Sequence, residues 1–167
     1  MTPTVRPGPL PDDALLVGYR ESGAFTDCWI TDLPRPVSQA AFIEAFYTTR
    51  LFKLERHLLG AFASRPSSDA EAVELAASRR DAFAAWSVEA RSEHQLLMCD
   101  VTRRTRSWLH TAPIEGGTRL HFGSAVVPRR DRRTGATSMG AGFHALIGFH
   151  AVYSRALLSA ARSRLMA

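Results

Sequence analysis

The stretch RTRSWLHTAPIEGGTRLHFGSAVV, residues 104–127, decides how this chain folds, because it contains two strand-like segments joined by a tight turn. Arginine, tryptophan and histidine alternate with threonine, serine and leucine from Arg104 to Thr111, which is the period of an extended strand. Gly116-Gly117 then provides a turn signal before a second strand-like segment. A link this short joins antiparallel strands, since a parallel pair needs a long crossover. The sequence therefore predicts an antiparallel sheet around this hairpin.

Further strand-like segments precede the hairpin. AFAAWSVEAR (82–91) and HQLLMCDV (94–101) lie directly before it and are joined by short links. An earlier strand, within SGAFTDCWITDLPRPV (22–37), is closed by Pro34 and Pro36, because proline cannot donate a hydrogen bond to a neighbouring strand. The predicted sheet thus contains strands from both halves of the chain.

Helical patterns occur in two places. Between the first strand and the later ones, helices are predicted over 38–49, over 50–63 and after Ser68, with N-caps at Ser38 and Ser68. A long apolar helix is predicted over about 140–165. Because a sheet and a helix each bury one face, the predicted fold is α+β: an antiparallel β-sheet packed against a long C-terminal helix, with two or three helices inserted after the first strand.

Length and composition favour one domain. The chain has 167 residues, 46% hydrophobic and 22% charged, which is ordinary for a globular protein. Residues 1–22, rich in proline, are predicted to form a flexible N-terminal arm, and residues 23–167 a single domain. Neither a membrane span nor an apolar leader is visible, so we expect a cytoplasmic protein.

The formal net charge of +5 is concentrated in the last part of the chain. Residues 1–100 carry 14 acidic and 10 basic side chains, whereas residues 101–167 carry 11 arginines and two acidic side chains. Arginines directly before the last helix can bind an anion at its N-terminus. The alternative is a solvated loop in an arginine-rich chain. Nucleic acid is not expected as a partner, because no aromatic residues are interleaved with these arginines. The anion-binding candidates are Arg129, Arg130, Arg132 and Arg133.

The first strand of the hairpin has two faces of mixed character, which predicts either a polar-lined pocket or a solvated outer face. Alternation places Arg106 and Trp108 on one face, together with Arg104 and His110. We expect Trp108 and Trp86 to form apolar walls of a pocket, and Arg106 to orient a polar or acidic end of a ligand. The alternative is an outer face on which arginine stems cover the tryptophan. An error of one residue in phase would exchange the two faces.

Two histidines lie in the apolar C-terminal helix. His144 and His150 are six residues apart and project about 120° from each other, so one helix does not offer both to a tetrahedral ion. Other histidines show no ligand-like spacing, and we expect no metal and no other cofactor. His150 and Tyr153 share a helical stripe with Leu157. They are predicted either to pack in the core or to form a cavity wall.

Nucleophilic chemistry has no signature in this sequence. The two cysteines, Cys28 and Cys99, lie in strand-like runs without a redox or metal spacing and are predicted to be buried reduced thiols. No Gly-x-Ser-x-Gly motif is present. Catalytic residues therefore cannot be named from the pattern.

Five segments of the chain carry a family resemblance: AFYTTRLFKLER, FAAWSVEAR, TRSWL, LHFGSAVV and GFHALIGFHAVYSRALL. They resemble an uncharacterised bacterial family, a domain of unknown function numbered about 2867. The resemblance covers roughly residues 24–165 and extends loosely to the helix-grip, START-like and polyketide-cyclase-like superfamily. It implies a small apolar or amphipathic molecule held between the sheet and the C-terminal helix, where some members perform cyclisation or hydrolysis. Three predicted inserted helices, instead of two, depart from the simplest helix-grip order.

Three functions are consistent with these features. The first is binding of a small, largely apolar ligand between the sheet and the C-terminal helix. The second is a cyclase-like or hydrolase-like enzyme using the same pocket, with His150 or Tyr153 as acid or base. The third is a protein with a filled core that acts through its surface, as a homodimer or by its basic loop. The predicted ligand-binding residues are Trp86, Arg106, Trp108, His150 and Tyr153.

Overall fold

The computed structural model describes residues 5–54, 67–130, 133–139 and 143–167, of which 130 and 143–147 are described by their backbone only. This part of the chain contains a seven-stranded antiparallel sheet and a separate two-stranded hairpin. The sheet strands are β1 (Arg6–Pro7), β2 (Phe25–Leu33), β3 (Ala82–Phe83), β4 (Trp86–Arg91), β5 (Gln95–Asp100), β6 (Thr105–Ile114) and β7 (Gly117–Val126), and the hairpin is β8 (Arg129–Arg130) with β9 (Thr137–Ser138).

The hairpin predicted from the sequence lies near the middle of the sheet, whose order is β1-β2-β7-β6-β5-β4-β3. Strands β6 and β7 pair in continuous register from Thr105↔Val126 to Ile114↔Gly117. Gly116 has φ +72°, a conformation that side-chain-bearing residues rarely adopt. A Cβ at Gly117 would lie 1.9 Å from the carbonyl oxygen of Leu33. Gly116 is therefore required by the turn, and Gly117 is required by the close approach of the Leu33 carbonyl group.

The helices after β2 follow the predicted order, whereas one further short helix lies before β2, in the segment expected to be a flexible arm. The helices are α1 (Val17–Glu21), α2 (Gln39–Tyr47), α3 (Asp69–Ala76) and α4 (Phe143–Met166), and residues 50–54 are also helical. Both predicted N-caps are confirmed, because the hydroxyls of Ser38 and Ser68 accept hydrogen bonds from backbone N–H groups and Ser68 forms a full capping box with Glu71. The rest of the helix predicted over 50–63 lies outside the described residues. No helix in the described ranges has the length and apolar character needed to cross a bilayer.

The helices after β2 cover one side of the sheet, here called the helix face. Its core is aromatic: the rings of Phe46 and Phe122 lie 4.8 Å apart between α2 and β7, and Tyr47 packs on Phe83 and Phe52. Each fully buried side chain of this size stabilises the fold by roughly 1.5–3 kcal/mol. The α+β fold class, an antiparallel sheet with a long C-terminal helix and helices inserted after the first long strand, is confirmed.

The opposite side of the sheet, here called the arm face, is covered by residues 5–24. This differs from the flexible arm expected for 1–22, because β1 pairs with β2 and Leu16 is completely buried against the sheet. The arm contains prolines and glycines and shows no helical or strand period, so its packing was not visible in the sequence. The physical reason for its order is that the helices cover one face only, and the apolar side chains of the other face require a cover.

Candidate functional site

A cavity of about 200 Å³ lies on the helix face, between the sheet and the helices that cover it. An engineered protein cavity of roughly 150 Å³ is large enough to bind benzene. The space is therefore sufficient for a small single-ring molecule. Most of its wall is apolar and aromatic, and these residues are Phe46, Tyr47, Phe52, Trp86, Phe122 and Leu157.

Polar residues complete the lining of the cavity. Ser107 on β6 and Ser124 on β7 are directly paired in the sheet, so their hydroxyls lie side by side on the helix face. This follows from strand alternation, since Leu109 and Phe122, two residues away, also belong to the helix-face core. The polar lining residues are Thr105, Arg106, Ser107, Ser124, His150 and Tyr153.

His150 is the centre of a polar cluster formed by three separate elements. Its Nε2 lies 2.9 Å from Ser124 Oγ, 3.5 Å from Asp27 Oδ2 and 3.4 Å from Ser154 Oγ. Asp27 is itself held in place, because its carboxylate accepts hydrogen bonds from the backbone N–H of Ser124 and from Trp29 Nε1–H. Ser124 and Ser154 are almost completely buried. The imidazole is thus fixed by contacts from β2, β7 and α4.

The arrangement of this cluster differs from that of a serine hydrolase. In a catalytic triad the serine contacts one imidazole nitrogen and the carboxylate contacts the other. Here Ser124 and Asp27 both approach Nε2. In the tautomer that carries its proton on Nε2, that nitrogen donates to the cluster and Nδ1 is an acceptor. Nδ1 has no hydrogen-bond partner among the described residues. The cluster therefore orients the imidazole through contacts that differ from those of a catalytic triad.

Three of the predicted ligand-binding residues, Trp86, His150 and Tyr153, line the cavity through their positions on β4 and α4. Arg106 also contributes to the lining, but its guanidinium lies on the arm face. There its Nε donates to Glu89 Oε2 and to the hydroxyl of Tyr19, each at 2.8 Å, and its side chain is only 7% exposed. The expectation that Arg106 orients an acidic ligand is corrected by this geometry.

Trp108 is a second correction, because it lies on the arm face and not in the cavity. It is fully buried against Leu16 and Ile30, and its Nε1–H donates to Gln95 Oε1 at 2.8 Å. The face chosen from the sequence was the wrong one, since Ser107 and Leu109, on the other phase of the strand, point to the helix face. Trp86 and Trp108 therefore do not share a pocket.

Two histidines that the sequence left without a role are stacked beneath the arm. The rings of His110 and His121 lie 4.7 Å apart at 20°, next to Trp108. Burial lowers the pKa of both, and for His121 burial and then the neighbouring His110 lower the pKa to about 4. Nδ1 of each ring is buried without a hydrogen-bond partner within the described part of the chain. Both imidazoles are therefore held neutral.

The arginines proposed for anion binding are only partly described. Arg129 lies in β8 and Arg133 in the exposed turn that follows, whereas Arg132 and the side chain of Arg130 lie outside the described residues. The side chain of His144 also lies outside them. Anion binding by this loop stays a prediction.

The cysteines and the metal prediction can be compared with the structure directly. Cys28 and Cys99 are both buried and free, as predicted, and burial followed by the charge of Asp27 raises the pKa of Cys28 to about 12. Such a thiol is unreactive at neutral pH. No group of three or more histidine, cysteine or acidic side chains suited to a metal ion occurs among the described residues.

The sequence reasoning missed the residues that fix His150. Ser124 had a usable signal, because it lies two residues after Phe122 and must share its face of the strand. Asp27 had none, since its approach to His150 depends on the pairing of β2 with β7 and on where α4 crosses the sheet. Comparison of the chain with family models, curated proteins and solved structures finds no match, so the site is interpreted from its own geometry.

Proposed function

We propose that this protein binds a small apolar or amphipathic molecule in the cavity between its sheet and its C-terminal helix. The observation that supports this proposal is a cavity with aromatic walls. A fixed polar cluster, centred on His150, forms part of its lining. Small-molecule sites are typically apolar clefts with a few convergent polar groups. The resemblance of the sequence to helix-grip and START-like proteins is consistent with the same proposal at the level of fold. We also propose that the protein acts in the cytoplasm.

Two alternatives make different predictions. An enzyme using His150 or Tyr153 as acid or base would show turnover that is lost in His150→Ala. A protein with a filled core would act through its surface, and changes inside the cavity would alter stability only. Neither alternative has an observation of its own, because the contacts of Nε2 do not suit a catalytic triad and the cavity has room for a ring.

The test is native mass spectrometry of freshly purified protein, followed by extraction and identification of any bound molecule. Leu157→Phe places a ring into the cavity, whereas Val152→Phe adds the same side chain on the exposed side of the same helix, where Val152 is 66% exposed. We expect a copurified small molecule that is lost from Leu157→Phe and retained by Val152→Phe.

Two results would contradict the proposal. One is an apo mass for the wild-type protein combined with no change in Tm on addition of toluene, a probe that fits the cavity. The other is retention of the bound molecule by Leu157→Phe, which would place the molecule elsewhere. Far-UV circular dichroism of both variants shows whether they are folded.

A further inference from the structure

The polar residues of the cavity indicate which kind of ligand it accepts, if the proposed binding function is correct. The first observation concerns positive charge. Arg106 is the one Lys or Arg among the described residues that line the cavity, and its guanidinium is held on the arm face by Glu89 and Tyr19. No cationic side chain of the described lining is therefore available to pair with a carboxylate ligand.

The second observation concerns negative charge. Asp27 lies behind His150, with its Oδ2 3.5 Å from Nε2, and it is fixed there by N–H donors from Ser124 and Trp29. A ligand carboxylate against His150 would add a second negative charge to a partly buried site. Like charges close together in such a site are unfavourable. The cluster thus disfavours an acidic ligand.

The third observation concerns hydrogen bonding. In the tautomer that carries its proton on Nε2, the His150 ring offers an acceptor at Nδ1, to which a ligand donor can bind. The hydroxyl of Ser107, which is paired in register with Ser124, makes no hydrogen bond within the described part of the chain, so it is available to donate or accept. A ligand hydroxyl, which is both donor and acceptor, satisfies these groups. An ester or ketone oxygen only accepts.

The fourth observation concerns size and shape. The cavity of about 200 Å³ is lined mainly by aromatic rings, among them Phe46, Phe52, Trp86 and Phe122. Rings pack on rings with favourable edge and stacked geometries, and a volume slightly larger than that of a benzene-binding cavity matches a single-ring compound. We propose that the ligand is a neutral single-ring compound that carries a hydroxyl group, of the phenol type, and that His150 and the neighbouring serines bind this hydroxyl.

The experiment compares three probes of similar size, toluene, p-cresol and benzoate, by isothermal titration calorimetry at pH 8. We expect p-cresol to bind about five to ten times more tightly than toluene, as one net hydrogen bond contributes about 1 kcal/mol, which corresponds to roughly fivefold in affinity. Benzoate is expected to bind more weakly than toluene.

Variants identify the groups responsible. His150→Phe keeps an aromatic ring but removes the acceptor, so the advantage of p-cresol over toluene should disappear while toluene still binds. Asp27→Asn removes the negative charge and should bring benzoate closer to toluene in affinity. Retained toluene binding in each variant shows that the cavity has kept its shape, so a loss of discrimination is not a loss of folding.

The outcomes separate this inference from the proposed function. Equal affinity for toluene and p-cresol, or tightest binding of benzoate, would overturn the phenol assignment while the cavity remained a binding site. Absence of binding for all three probes to folded wild-type protein would overturn both. The wild-type ranking is decisive even if His150→Phe fails to fold, and Ser124→Ala then serves as the milder change at the same cluster.

Discussion

The two faces of the sheet are built from the same strands but are packed differently. On the arm face, Leu16 of a short and mostly irregular segment packs against Ile30 and Trp108 of the sheet. Gln95 holds this segment by accepting from Leu15 N–H and donating to Asp13 O, and it also accepts from Trp108 Nε1–H. On the helix face, longer and more regular elements leave about 200 Å³ unfilled. Regular secondary structure is thus no guide to dense packing.

This difference separates stability from function within one sheet. Side chains next to unfilled space lose packing contacts, so the helix face gives up packing energy that the arm face retains around Leu16 and Trp108. The arm face is densely packed there, although Nδ1 of His110 and Nδ1 of His121 are buried without a hydrogen-bond partner within the described part of the chain. We therefore expect mutations on the arm face to change stability, and mutations in the cavity to change binding.

The largest expected effect is on the arm face. Trp108→Ala should lower the free energy of unfolding by about 3–5 kcal/mol, because it empties a fully buried site and removes one of the two donors to Gln95 Oε1. Trp86 lines the cavity and is only half-buried, so Trp86→Ala should lower the free energy of unfolding clearly less. Urea unfolding followed by far-UV circular dichroism measures both. Similar losses for the two tryptophans would mean that the faces are not packed as differently as the structure indicates.

The second largest expected effect is a loss of folding stability at acid pH, which arises from histidines on the arm face. Because the pKa of His121 is lowered to about 4 in the folded protein, the unfolded chain takes up its proton at a higher pH, near the ordinary 6.5. Stability from this residue is complete above pH 6.5 and is lost as the pH falls towards 4, a change of about 3 kcal/mol. His110 adds a loss in the same direction.

Denaturant titrations between pH 7.5 and 4 measure this loss. The variant His121→Asn should flatten the pH dependence, whereas His94→Asn, at an exposed position, should keep it. An unchanged profile in His121→Asn would show that other groups govern acid sensitivity. These pH values bracket the ordinary and lowered pKa of the imidazole.

A smaller difference in stability between the two faces is expected when a larger side chain is introduced on each. Ala125→Leu adds volume to the filled arm face, where Ala125 is fully buried, and should cost about 1–3 kcal/mol. Leu157→Phe adds volume towards the cavity and should cost less than about 1.5 kcal/mol. Thermal unfolding of the two variants gives the comparison. If Leu157→Phe proves the more damaging change, the cavity has less room than described.

The smallest expected effect concerns the contact between arm and sheet. Tyr19→Phe removes the hydroxyl that donates to Glu89 and accepts from Arg106, and should cost about 1 kcal/mol. The loss should be local, so hydrogen exchange should accelerate at the arm amides of Gly8 and Leu15, which donate to Cys28 O and Gln95 Oε1. Unchanged exchange at both amides would show that the arm is held by apolar contacts alone.

Local patterns of the sequence predicted the longer strands and helices but not β1 or α1, and the faces of the strands depended on distant segments. The β6–β7 hairpin and the caps at Ser38 and Ser68 were predictable because each is specified within a few residues. The face of Trp108 was not, since both faces of its strand are buried and alternation alone gives no sign of which one the helices cover.

The candidate site was predictable in part, on the C-terminal helix and at Trp86 of β4. His150 and Tyr153 follow from the apolar stripe of the last helix, and both line the cavity. The contribution of Asp27 depends on β2 and β7, which are about 97 residues apart where Asp27 accepts from Ser124 N–H. Single-sequence patterns carry no information on a contact of that range.

The packing of the arm also has a consequence for the order of folding. Residues 5–24 are synthesised before the segments that they contact: Leu15 contacts Gln95, 80 residues further on, and Tyr19 contacts Arg106, 87 residues further on. Closing loops of this length is entropically costly before the sheet has formed. We therefore expect residues 5–24 to dock only after the strands that they contact have paired.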